Sequence, residues 1–166
     1  MYVFEFTDKE IIIYHQKKKI LIKEIIPENI IVNNQIYDYL NLVRVLNYIV
    51  NKYKIINTIF RIKIKILLFE KKSPSEIYLI RKAFQEIGNF NIREINPTRY
   101  FDNDALFISG KNVYYKGNKI KKLPKGKYIL IGNSDNYDEI KKHLINKYHI
   151  DLYEYENSNT IIYEKV

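Results

Sequence analysis

The sequence predicts an α/β protein in which one structural plan occurs twice. Three observations predict it. Short apolar runs of period two, separated by polar breaks, open each half of the 166 residues. Helical periodicity follows the opening runs in each half. A proline closes each opening set, Pro27 in the first half and Pro124 in the second.

Residues 2–6 alternate aromatic and polar side chains, 10–15 form a second run after Thr7-Asp8-Lys9, and 20–25 form a third. Their β-branched residues and short polar breaks predict an antiparallel three-stranded meander. Asn33-Asn34 then breaks the chain. Beyond it Leu42, Val45, Leu46, Ile49 and Tyr53 recur at helical spacing, with Asp38 or Asn34 as the capping residue. Residues 61–69 first alternate Arg61, Lys63 and Lys65 with isoleucines and then turn wholly apolar, which predicts a strand central at its far end. Ser73-Pro74-Ser75-Glu76 reads as a capping box, with Ser73 at the N-cap, Pro74 at N1 and Glu76 at N3. Ile77, Ile80, Phe84 and Ile87 continue as an apolar stripe, and Gly88 is expected at a C′ position of positive φ. A short strand over 91–95 ends at Asn96-Pro97.

The second half repeats the layout. Three short strands are predicted over 104–109, 112–115 and 118–123, with Gly110-Lys111 and Lys116-Gly117 between them. A strand over 127–131 leads through Gly132-Asn133-Ser134-Asp135 into a helix carrying Tyr137, Ile140, Leu144 and Tyr148. Residues 150–155 and 160–163 read as final strands.

Composition bounds the chemistry. There is no cysteine, which excludes disulfides and thiolate metal sites. His15, His143 and His149 have no metal-binding spacing, so no metal is expected. The start carries neither a basic n-region nor a long apolar stretch, and lysine and arginine interrupt the one apolar run near residue 60. A cytoplasmic location is the expectation. The net charge of +9 invites a nucleic-acid reading. Ile, Lys, Asn and Tyr are also the residues of AT-rich codons, and dispersal of the lysines over many segments favours that origin. The 16 tyrosines are open to two readings, stacking platforms for single strands or amphipathic core-edge residues, and placement in strands favours the second.

A duplicated meander followed by α/β units resembles the actin and Hsp70 ATPase superfamily. Within it the stretch from Ile66 to Pro97 is similar to MreB-type bacterial actin homologues. Ser73, Glu76, Arg81, Ala83 and Gly88 stand at matching offsets, and Asn96-Pro97 stands where Glu-Pro is expected. The resemblance implies two small ribonuclease-H-like (actin-like) subdomains with mixed sheets, at 1–97 and 98–166. Only 28–34 separates the first meander from its helix, and 124–127 is equally short, so the lobes inserted in longer family members are absent.

The same resemblance implies where ATP would bind, and the residues there have changed. The first phosphate turn, Asp-x-Gly in the family, is represented by Glu5 and Thr7 without a glycine. The second, Asp-x-Gly-Gly-Gly, is represented by Asp104 and Gly110. The adenosine turn keeps only Gly132, and the water-activating carboxylate is replaced by Asn96, whose amide cannot accept a proton as a general base. These are vestigial positions. No catalytic residue, cofactor or ATP hydrolysis is expected. A two-metal nuclease drafted from Glu5, Asp38 and Glu70 has no supporting spacing. The expected role is a non-catalytic actin-like scaffold or interaction protein. By resemblance it would be tied to cell-shape or cytoskeletal assemblies near the inner membrane face and work through a protein partner or self-association. A basic nucleic-acid-binding module is the alternative.

Overall fold

The computed structural model describes residues 1–55, 59–157 and 159–166. The chain divides into two compact units, one of Met1–Leu67 with Lys72–Ile95, the other of Leu68–Lys71 with Asn96–Val166.

The first unit opens with the meander β1 (Tyr2–Phe6), β2 (Glu10–His15) and β3 (Ile20–Ile25), antiparallel throughout. A two-residue hairpin that the sequence reading missed follows, β4 (Ile31–Val32) and β5 (Gln35–Ile36). Asn33 and Asn34 both take positive φ, 52° and 61°, as a tight primed turn requires. Asn34 is therefore a turn residue, and Asp38 caps helix α1 (Tyr39–Lys52) by accepting from the Asn41 amide at 3.1 Å. Leu42, Leu46, Ile49 and Val50 bury the apolar stripe of α1.

Strand β6 (Ile62–Leu67) leads to helix α2 (Pro74–Ile87) and strand β7 (Phe90–Ile95). The capping box forms in both directions: Ser73 Oγ accepts from the Glu76 amide at 3.3 Å, and the Glu76 carboxylate accepts from the Ser73 amide at 3.1 Å. Gly88 differs from expectation. Its φ is 174°, extended backbone open to any residue, so a left-handed cap is not what it supplies. A Cβ there would lie 2.7 Å from the Phe90 ring, so space is the requirement. Phe84 on α2 meets Phe4 edge-on at 5.2 Å, which seats the helix on β1.

The second unit repeats the plan with β8 (Ala105–Ser109), β9 (Asn112–Tyr115), β10 (Asn118–Lys119), β11 (Lys127–Asn133), helix α3 (Tyr137–Tyr148) and β12 (Asp151–Glu154). The third strand of this meander was expected over 118–123 and is only two residues long. Residues 160–163, expected as a strand, open the short helix α4 (Ile161–Lys165). The Asn157 carbonyl accepts from the Thr160 and Ile161 amides, starting a helical turn that buries Ile162, Tyr163 and Val166. An apolar run this short carries no period of its own.

The two sheets have one topology. Their strand orders are β3-β2-β1-β6-β7 and β10-β9-β8-β11-β12. In each, the meander pairs antiparallel and the last two strands add parallel to the first. The helices differ between the units. In the first unit α1 lies between meander and fourth strand, whereas no helix occupies 120–126 in the second.

Candidate functional site

The expected phosphate turns are the hairpin connecting β1 to β2 and its counterpart connecting β8 to β9. Glu5 lies buried on β1 opposite Ile12, at 1% exposure. Thr7 is equally buried and closes the first turn on itself. Its Oγ1 donates to the Glu10 carbonyl at 2.9 Å and accepts from the Glu10 amide at 3.0 Å. The Thr7 hydroxyl is thus engaged within the turn, at the position where the resemblance led one to expect glycine.

Asp8, at the tip of the same turn, has a role that sequence reasoning missed. Its two carboxylate oxygens accept from the backbone amides of Asn33 and Asn34, at 3.2 and 2.9 Å. Consecutive left-handed residues present their N–H groups as an anion-binding concavity. Here the anion is the protein's own. Lys72 closes the arrangement by donating to the Asn34 carbonyl. The signal available in the sequence was Asn33-Asn34, a pair suited to a primed hairpin and hence to such a concavity.

In the second unit Gly110 supplies the positive φ, 58°, of a two-residue hairpin between the paired residues Ser109 and Asn112. Its carbonyl accepts from Ser134 Oγ at 3.0 Å, and Ser134 Oγ also accepts from the Asn136 amide. Asp104 is not brought to this hairpin. It precedes β8 at the opposite end of the strand, about 16 Å away at the usual rise per residue. One of its carboxylate oxygens is buried without a hydrogen-bond partner.

Gly132 lies inside β11 instead of in a turn, paired with Ile108 of β8. Its φ is 147°, and a Cβ would stand 2.3 Å from the Ile108 carbonyl oxygen. Close approach of two strands therefore accounts for the glycine. Asn96 caps the 3-10 turn Pro97–Arg99, its Oδ1 accepting from the Thr98 amide at 2.9 Å and from Thr98 Oγ1 at 2.7 Å. Asp38 of the drafted nuclease set is the α1 cap. Among the described residues no group of three or more His, Asp or Glu side chains is placed to hold a metal ion.

Ion pairs elsewhere are structural. Arg81 on α2 grips Glu94 on β7 through Nε at 2.5 Å and Nη2 at 2.7 Å, and this holds the Glu94 carboxyl below the usual carboxylate range. Lys141 on α3 pairs with Glu154 on β12 at the same sequence separation of 13 residues. The Arg81 that carried part of the family likeness is thus a strut between helix and last strand.

No family model matches the chain, and no curated protein matches it. A solved structure does, that of ethanolamine utilization protein EutJ from Carboxydothermus hydrogenoformans. It superposes with a TM-score of 0.57 over 97% of this chain and 86% of that one, at 7% sequence identity. The fold is actin-like. Two mixed five-stranded sheets of one topology carry that assignment together with the superposition. Among the described residues no helix is long and apolar enough to cross a membrane.

Proposed function

We propose that this chain is a non-catalytic actin-like scaffold or interaction protein that works through a protein partner. The observation that carries the reading is the first hairpin. Thr7 brings a Cβ and a hydroxyl bonded to Glu10 where the family turn has glycine, and Asp8 is committed to the Asn33 and Asn34 amides. A backbone that cradles a triphosphate needs free N–H groups and no Cβ in the way. Asn96, an amide already used as a cap, adds that no general base stands at the water-activating position. The similarity of the segment from Ile66 to Pro97 to MreB-type homologues supports a tie to cell-shape or cytoskeletal assembly in the cytoplasm.

MgATP titration followed by thermal unfolding tests the reading. A ligand at 100 times its Kd stabilises by about 2.7 kcal/mol, which raises Tm by several degrees in a chain of this size. The expected result at 2 mM MgATP is a shift no larger than that given by magnesium sulfate and sodium chloride at matched ionic strength. A saturable rise specific to the nucleotide would overturn the non-catalytic assignment.

A further inference from the structure

The internal repeat identifies an empty position. In the first unit α1 packs against α2 and over the edge of the meander, where Lys52 pairs with Glu24 of β3 at 2.6 Å. The second unit has the counterpart of α2, which is α3, and the counterpart strands β9 and β10. Among its described residues it has no counterpart of α1. A groove of about 380 Å³ lies at that place, between α3 and the β9–β10 hairpin.

Its floor is apolar. Val113 and Leu144 are buried there, while Ile120, Ile140 and Tyr148 are left half-covered. All five belong to the core of this unit or pack against it. Its rim is basic, with Lys111, Lys119 and Lys147 all exposed, alongside His143, and Glu139 as the opposing charge. Half-covered apolar side chains ringed by lysine fit the apolar stripe of a helix whose flanks are acidic. A second copy of this chain is a poor occupant. The α1 sequence YLNLVRVLNYIVNK contains no acidic residue, and the chain carries +9.

We propose that this groove docks an amphipathic helix with glutamate- or aspartate-rich flanks, supplied by a partner protein, in the place that α1 fills in the first unit. The proposal rests on the interaction-protein reading and gives the partner its chemistry. Burial of the three half-covered side chains would supply affinity, and the lysine rim would supply orientation and on-rate.

The probe is a fluorescein-labelled 18-residue peptide with leucines at i, i+3, i+4 and i+7 repeats and glutamates at the flanking positions, followed by anisotropy at 150 mM salt. Its control has the same composition with the leucine periodicity destroyed. Saturable binding of the first peptide, at least about tenfold tighter than the control, is expected. I120D and I140D should each weaken it about tenfold. K119E with K147E should weaken it similarly and flatten its salt dependence, and because both lysines are exposed this variant tests the groove even if an isoleucine variant fails to fold. Equal binding of the control peptide, insensitivity to all the variants, or no binding up to 1 mM would overturn the proposal. Displacement of the peptide by a 20-base-pair DNA duplex at 150 mM salt would do the same by reassigning the groove to phosphates. A nucleotide-specific rise in Tm accompanied by intact peptide binding would remove the non-catalytic reading alone.

Discussion

The Asp8 carboxylate ties the first hairpin of the chain to the Asn33-Asn34 turn. A carboxylate at a hairpin tip is free in principle to hold water or a cation, but here both oxygens accept amides from a turn 25 and 26 residues later. Hydrogen bonds to a charged acceptor contribute about 1.5–3 kcal/mol when shielded and less when solvent reaches them, as it does around the Asn33 contact. Asp8→Ala is expected to lower stability by about 1–2 kcal/mol in urea unfolding, and Asp8→Asn by roughly half that, since the amide oxygen still accepts. A variant as stable as the parent would mean that the contact does not order the turn. No local pattern signals the pairing, because two residues so far apart are joined only by the fold. Thr7 was legible as a missing glycine. That its hydroxyl closes the turn was not.

At the level of elements, what could be read depended on how many independent signals a segment carried. Helix α2 had a capping box, Pro74 and a full apolar stripe, and it forms as expected. The first meander had three period-two runs, which also form as expected. Segments with one signal went astray: 118–123 alternates for only part of its length, and 160–163 is too short to show any period. Glycines misled for a similar reason. The local sequence places Gly88 at a left-handed helix C′ position and Gly132 in a turn, yet one makes room for the Phe90 ring and the other for the Ile108 carbonyl, and no local pattern reports a neighbouring strand. The strut between helix and last strand is an element-scale feature with a pH signature. Arg81 holds the Glu94 carboxyl below its ordinary value, so the pair's contribution is fully present above the unfolded pKa of about 4.3 and is lost as pH falls through the lower folded value. Arg81→Ala should cost about 1 kcal/mol or less at pH 7, because the guanidinium is half exposed. Parent and variant should then converge in stability as the pH falls through that lowered value. Parallel pH profiles would assign the whole effect of the substitution to lost packing.

For the molecule as a whole, the charge of +9 and the tyrosines pose the remaining choice between a protein partner and nucleic acid. The tyrosines divide. Tyr14, Tyr114 and Tyr163 are fully buried, which leaves no face for a base, while Tyr37, Tyr48, Tyr78 and Tyr153 are more than half exposed. Several lysines lie over aromatic rings while remaining exposed: Lys127 over Tyr153 at 5.9 Å and Lys147 over Tyr148 at 5.3 Å. Dispersed positive charge attracts phosphates without registering a strand on stacked bases, so the expected binding is nonspecific and driven by counterion release. Such binding falls steeply with salt. Fluorescence anisotropy with a 20-nucleotide single strand should detect weak association at 50 mM sodium chloride and almost none at 200 mM. Replacing Tyr48, Tyr78 or Tyr153 by alanine should leave the low-salt affinity within about twofold, since stacking on a platform would otherwise contribute about 1–3 kcal/mol per base. Submicromolar affinity at 200 mM salt that drops with those substitutions would instead assign the exposed tyrosines to base stacking and make nucleic acid the partner.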